Sequence, residues 1–448
     1  MISSFRVGGL RFHRPQPAPL FRPFSRSIRL FTASCSAALP GERQKVVVIS
    51  GPTGAGKSRL ALELAKRLNG EIVSADSVQV YRGLDVGSAK PSVSERQEVP
   101  HHLVDVLHPS EDYSVGQFYE DARKITEEIL SRGRVPIVSG GTGLYLRWFI
   151  YGKPDVPKAS HQITSEVHAE LADLQRDGNW YEAVQLVIKA GDPGVHSLAA
   201  NDWYRLRRRL EILKLTGASP STFEVPYNSF KEKFESSAVD DSGINSSVAE
   251  ESRAKDLKYN FICFFLSTQR LDLYRSIDSR CEEMLLGDGL LSEAKWLLDL
   301  GLMPNSNSAT RAIGYRQAMD YLLLSREQEG WSSPKDFYKF LFEFQKASRN
   351  FAKRQLTWFR NEPLYQWIDA SNPLENVLSF ICDAYEDQTG KLEVPRSLRM
   401  EKDMSNLKEV RLLKAYRPKN RHFMSREDCS NILEWVRKNQ GVATIGLP

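Results

Sequence analysis

The chain has 448 residues, 41% of them hydrophobic, more than one hydrophobic core usually organises, so we expect an α/β domain carrying a second, helical one. Its formal charge of +5 comes from the first 41 residues, where Arg6, Arg11, Arg14, Arg22, Arg26 and Arg29 stand without a lysine or an acid; the remainder carries −1, and nucleic-acid binding must rest on local basic patches. No apolar run reaches membrane-spanning length, which argues against a membrane partner, and five scattered cysteines (Cys35, Cys263, Cys281, Cys382, Cys429) without a C-x-x-C pair argue against zinc or disulfides.

Residues 1–41 are Arg- and Ser-rich and acid-free, the composition of a transit peptide for a mitochondrion or a plastid, and are set aside from the fold. Lys45 to Ser50 is a short β-branched run, as expected of a buried parallel strand; a Gly-rich turn and a helical pattern from Arg59 to Leu68 follow. Glu71 to Ala75 and Val135 to Ser139 are further strands, with an amphipathic helix over Val115 to Ser131 between them. Strand, turn, helix, strand at this pace predicts a parallel α/β sheet with helices on both faces, occupying 42–150. Helical periodicity dominates 151–227, broken at Gly191-Asp192-Pro193. The Ser/Glu/Asp-rich stretch 228–256 has few large apolar residues and predicts a disordered insertion. Tyr259 to Leu266 predicts a strand rejoining the sheet, and Arg270 to Leu300 and Pro334 to Arg360 predict long helices within 257–389. Residues 390–448 are expected to be an appended basic tail.

Gly51, Pro52, Thr53, Gly54, Ala55, Gly56, Lys57 and Ser58 form a P-loop pattern between a strand and a helix, the context it requires. Its backbone N–H groups converge on phosphate oxygens, Lys57 neutralises them, and Ser58 offers a hydroxyl to Mg²⁺. Asp76 ends a strand beside this loop and serves as a metal ligand, a base or a turn residue. The strand ending in Gly140-Gly-Thr-Gly143 has no acid of the kind an ordinary ATPase uses, and offers instead backbone N–H groups and the Thr142 hydroxyl. On the last long helix Gln345, Lys346, Arg349, Lys353 and Arg354 suggest a basic face, and Phe344, Phe351, Trp358 and Phe359 a core-facing one. Arg205, Arg207, Arg208 and Arg209 form a denser basic cluster. His101-His102 has no third ligand at a useful spacing and is assigned a structural role.

Taken together and in this order, these segments resemble the tRNA dimethylallyltransferase (tRNA isopentenyltransferase) family over about residues 45 to 365. The resemblance rests on Gly51–Ser58, on Asp76-Ser-Val-Gln-Val-Tyr-Arg-Gly-Leu-Asp-Val-Gly-Ser-Ala-Lys-Pro91, and on His101-His-Leu-Val-Asp105. It continues through Gly140-Gly-Thr-Gly-Leu-Tyr-Leu146, Arg205 to Gly217, Ile313-Gly-Tyr315 and Gln345 to Arg360. The resemblance implies a P-loop NTPase-like sheet with an inserted, mostly helical tRNA-binding domain. It implies transfer of a dimethylallyl group from its diphosphate to N6 of the adenine 3′ to the anticodon, in tRNAs reading codons that begin with U. It also implies roles for residues. Asp76 would be the base, with Lys57, Ser58, Thr142 and Arg349 on the departing diphosphate and Mg²⁺ at Ser58. Ser77, Val78 and Gln79 would meet the flipped adenine, and Tyr204, Arg205, Leu206, Arg207 and Arg208 the anticodon arm. The chain departs from the family's usual R-A-L-E at Arg208-Arg-Leu-Glu211. A monomer of the bacterial, organellar type without a zinc finger is expected, and a cytokinin source among its uses. An adenylate isopentenyltransferase acting on free AMP, ADP or ATP would share the donor chemistry but not the second basic domain. A P-loop small-molecule kinase would leave that domain unexplained, and an inactive RNA-binding protein would not need Lys57, Asp76 and Thr142.

Overall fold

The computed structural model describes residues 43–236, 257–287, 289–389, 392–402 and 407–440; the transit peptide expected at 1–41, and most of the insertion expected at 228–256, lie outside them. Six parallel strands form one sheet in the order β3-β2-β4-β1-β5-β6, where β1 is Lys45–Ser50, β2 Gly70–Ser74, β3 His101–His102, β4 Val135–Gly140, β5 Asn260–Ser267 and β6 Gln366–Asp369. Alternate side chains of the central strands enter two separate cores, as a strand's period of two requires. Val46, Val48, Val73, Val138 and Phe265 face one, and Val47, Ile49, Ile72, Ile137 and Phe264 the other. A sheet buried on both faces explains the unbroken apolar runs.

The smaller core is covered by helices α1 (Lys57–Leu68) and, near the chain's end, Leu374–Glu386. On the larger side lie α3 (Val115–Ser131), opened by a reciprocal Ser114/Gln117 capping box, and α4 (Gly143–Tyr151), with the short α2 (Val93–Glu98) before them in sequence. Helices α5 (His161–Arg176), α6 (Trp180–Lys189) and α7 (Trp203–Thr216) close around a third core of their own, built from Val167, Leu171, Val187, Leu206 and Leu210. A further helix, α8 (Pro226–Ser236), runs into the stretch expected to be disordered, and Tyr227 and Phe230 pack on Tyr151.

Arg270 to Leu300 is two helices, α9 (Arg270–Glu283) and α10 (Gly289–Asp299), rather than one. The break falls at Gly287, whose φ of 59° is left-handed, and a Cβ on Gly289 would crowd the Met284 carbonyl. Helices α11 (Tyr315–Glu327) and α12 (Pro334–Arg360) follow, the latter opened by a Ser333/Asp336 capping box and Pro334 in its first turn. After α13 (Leu374–Glu386), the expected tail contains α14 (Leu407–Ala415) and α15 (Ser430–Gln440). Far from hanging free, this segment buries Phe423, Cys429, Ile432 and Val436 in the larger core.

Candidate active site

The P-loop runs from β1 into α1, with Gly54 and Gly56 at φ of 81° and 86°, conformations that L side chains resist. Its position against the neighbouring turn is fixed by Gln355 of α12, a buried side chain that accepts from Thr53 N–H (2.9 Å) and donates to the Gly141 carbonyl (3.0 Å). A Cβ on Gly141 would strike that amide, one on Gly140 the Ala75 carbonyl, and one on Gly143 the Trp358 indole. The glycines of the Gly140–Gly143 turn therefore permit close approach, as much as they free N–H groups for an anion.

Thr142 N–H donates to the Ala75 carbonyl (3.3 Å), which seats Thr142 against Asp76. Asp76 Oδ1 accepts from Val78 N–H (2.8 Å) and Gln79 N–H (3.4 Å), turning the chain after β2. Gln79 does not project freely toward a base: its amide accepts from Ser74 (2.9 Å) and donates to the carbonyls of Ser88 (3.3 Å) and Ala89 (3.2 Å). Ser77 and Val78 are half-buried on the same turn.

A cleft of about 440 Å³ opens over the P-loop, lined by Lys57, Ser58, Val86, Ala89, Arg280, Glu283 and Met284 among others. Lys57 Nζ donates to the Pro52 carbonyl at 2.9 Å. Its pKa falls to about 8, through burial first and then the positive charge of Arg280, with Asp76 acting in the opposite sense. Burial likewise lowers the pKa of Arg280, again opposed by Asp76. Two cations and one carboxylate thus lie close together: Lys57 at the end of the P-loop, Arg280 on α9, which packs on that loop at Gly54, and Asp76 just after β2. Arg280 was not singled out in the sequence, because an isolated arginine inside a helix carries no spacing signal.

Arg349, expected on the diphosphate, is buried and pairs with Asp278 of α9, so it does not lie on the basic face suggested for α12. Gln345 is buried too; Lys346, Lys353 and Arg354 are exposed. Phe344 and Phe359 are core residues, and Trp358 stacks on Arg147 (3.9 Å), whose other face meets Tyr227 (3.8 Å) while its guanidinium binds buried Glu362 (2.6 Å).

The long motif after Asp76 is mostly scaffold. Glu293 of α10 accepts three consecutive N–H groups, from Asp85 (2.7 Å), Val86 (2.7 Å) and Gly87 (3.0 Å), and the Tyr315 hydroxyl (2.7 Å) holds that carboxylate in place. Lys90 bridges Asp85 (2.5 Å) and Asp105 (2.6 Å), joining two motifs that are separate in sequence. His102 binds the buried Glu71 (2.6 Å) together with Arg132 (2.8 Å), the structural role assigned to it.

On α7, Arg205 is exposed and pairs loosely with Asp202 (3.3 Å), Arg208 pairs with Glu211 (3.0 Å), and Tyr204 is 49% exposed. Arg207 bonds Gln175 (2.7 Å), and burial lowers its pKa against the opposing charge of Asp112 from the sheet domain. Burial raises the pKa of Tyr145 on α4, and the charges of Tyr81, Asp76 and Tyr204 act on it in the same sense. Leu206 is fully buried in the third core; it holds the helix and cannot touch RNA. Arg209 is also structural, forked onto the fully buried Asp192, which additionally receives Ser219 (2.9 Å) and Gly194 N–H (3.1 Å). Arg209→Ala should destabilise the protein by about 3–5 kcal/mol by leaving a buried carboxylate short of its partner. Urea unfolding measures this; a loss below about 1 kcal/mol, the surface-pair range, would remove the structural role of Arg209.

Among the described residues no group of three or more His, Cys, Asp or Glu could hold a metal ion, and no helix is long and apolar enough to cross a membrane. Two family models match the chain, one described as IPP transferase over residues 79–362 and one as isopentenyl transferase over 44–105. The tRNA dimethylallyltransferase 9 of Arabidopsis thaliana is 62% identical over 416 residues, covering 91% of this chain and 90% of its own. A tRNA dimethylallyltransferase of Protochlamydia amoebophila is 37% identical, covering 77% and 90%. Among solved structures, a full-length tRNA isopentenylpyrophosphate transferase of Bacillus halodurans superposes with a TM-score of 0.50 at 32% identity, over 77% of this chain and 97% of its own. A eukaryotic dimethylallyltransferase acting on tRNA gives 0.55 at 25% identity, over 76% and 79%.

Proposed function

The chain belongs to the IPP transferase family, and from that premise we propose that it moves a dimethylallyl group from dimethylallyl diphosphate to N6 of the adenine 3′ to a tRNA anticodon. The observation that carries this reading is a cleft lined by Lys57 and Arg280, with the Asp76 carboxylate near enough to act on both cations. The exocyclic amine attacks the primary allylic carbon, the carbon–oxygen bond to diphosphate breaks, and Asp76 receives the amine proton. Lys57 and Arg280 face the charge that grows on the departing oxygens, where fixed cations lower the barrier most. Adenine must leave its stack to reach Asp76, and the turn at Ser77 and Val78 forms the nearest wall for it.

Ser58 lies in the first turn of α1 at the cleft with an exposed side chain, and among the described residues no group of His, Cys, Asp or Glu there could hold a metal ion by itself. That fits Mg²⁺, which is usually held by one or two protein oxygens and the substrate's own phosphates. When bound it would add neutralising charge to the diphosphate. The leader at 1–41 supports import into a plastid or mitochondrion, which a fluorescent fusion with and without those residues tests.

The acceptor is the decisive measurement. An anticodon stem-loop with adenine after the anticodon should yield N6-dimethylallyladenosine, with free AMP at least about a hundredfold poorer, equivalent to about 2.8 kcal/mol of contacts that a mononucleotide cannot reach. Binding should weaken steeply with salt, and Arg205→Ala should reduce the slope by about one. AMP as the better acceptor would replace this reading with cytokinin synthesis, and transfer of the ATP γ-phosphate would replace it with a kinase.

A further inference from the structure

Residues 416–423 lie beyond the family-model match, which ends at 362, yet they bond to the helix that carries Arg280. Asp278 and Glu282 are one turn apart on α9 and share a face; Arg280, two residues from each, is about 200° round the helix and points into the cleft. Both carboxylates are buried, at 1% and 0% exposure. Glu282 accepts the backbone N–H groups of Arg421 (2.9 Å), His422 (2.7 Å) and Phe423 (3.2 Å). Asp278 accepts the Tyr416 hydroxyl (2.7 Å) and pairs with Arg349 of α12. Gln345 closes the arrangement, donating to the Asp278 carbonyl (3.4 Å) and to Asn420 Oδ1 (3.1 Å).

The segment is itself anchored. Phe423 packs edge-on to Phe337 at 4.9 Å, and the Tyr338 hydroxyl donates to the Phe423 (3.3 Å) and Ser425 (2.5 Å) carbonyls. We propose that Tyr416–Phe423 is a clamp that positions α9, and through it Arg280, for gripping the donor's diphosphate. A carboxylate buried without partners is costly, so loss of the clamp drives α9 to shift until Asp278 and Glu282 find water. That shift withdraws Arg280 from the P-loop. Tyr416, Glu282 and Asp278 are positioning residues here; none of them lines the cleft. The same geometry accounts for Arg349, whose charge is used in the clamp.

The inference rests on reading the cleft as a diphosphate site, and inorganic pyrophosphate binding to the full chain tests it without requiring prenyl transfer. Glu282→Ala should raise the pyrophosphate Kd about tenfold, well inside the hundredfold that an ångström of misplacement can cost. Tyr416→Phe, which removes one hydroxyl and keeps the ring, should raise it about threefold. In an Arg280→Ala background neither change should add further loss, because the group they position is gone. If Glu282→Ala does not fold, the Tyr416→Phe cycle decides alone. Losses that multiply fully with Arg280→Ala, or an unchanged Kd in folded variants, overturn the clamp. Pyrophosphate binding with the expected pattern but no prenyl transfer by the unmodified protein leaves the clamp standing and removes the functional reading; no pyrophosphate binding at all removes both.

Discussion

Asp76→Asn should lower the single-turnover rate of prenyl transfer by about 10²–10⁴, the usual worth of a general base, while tRNA affinity stays within a few-fold. Asparagine keeps the Oδ1 acceptor that receives Val78 and Gln79 N–H, so the turn after β2 survives and the loss reports on proton removal. Asp76→Ala loses that acceptor as well and should be at least as impaired. Removing a carboxylate does not weaken attraction to a polyanion, which is why binding should hold. The substitution also has a signature at Lys57: with Asp76 opposing the fall, the lysine's pKa is about 8, so in the asparagine variant it should drop further and donor binding should begin to fail at lower pH. Near-native turnover in Asp76→Asn would remove it as the base.

Arg280→Ala should cost about 10²–10³ in kcat/KM for the prenyl donor, the range found when one preorganised donor to a developing anion is removed. The pH profile gives this prediction a second handle. Lys57 binds a diphosphate as a cation, so kcat/KM should decline as pH rises through about 8, where the free enzyme's lysine loses its proton. Burial is the larger cause of that depressed value and Arg280 the next, so removing Arg280 should move the alkaline limb upward without restoring the ordinary lysine pKa. A lower kcat/KM with an unmoved limb would show that Arg280 acts on the donor from a distance rather than beside Lys57.

The two substitutions divide the reaction between its ends, since Asp76 acts on the nucleophile and Arg280 on the leaving group. They also differ in how they could be found. Asp76 stands at a strand end next to a P-loop, and position alone marks it as facing ligand. Arg280 lies in R-C-E-E inside α9, where nothing local distinguishes it from a solvated helix residue. The same asymmetry holds on α7. Five consecutive residues from Tyr204 were expected at the RNA, but a helix turns through 100° per residue, so such a run cannot share one face. Leu206 accordingly faces the third core, while Tyr204 and Arg205 are exposed.

What the chain declares on its own is local and periodic. β-branched runs made β1, β2 and β4, and an aromatic apolar run made β5; helical periodicity marked α3 and α12; and the glycines of the P-loop marked a phosphate-binding turn. Tertiary structure decided everything that depends on charge meeting charge across long separations. It placed Arg280 beside Lys57, turned Gln79 and Gln355 into braces, made Lys90 and Asp105 partners, and bonded Tyr416–Phe423 of the expected tail to α9. The physical reason is that a strand or helix is specified by neighbours within a turn or two, whereas a buried ion pair takes its partner from wherever the fold delivers one.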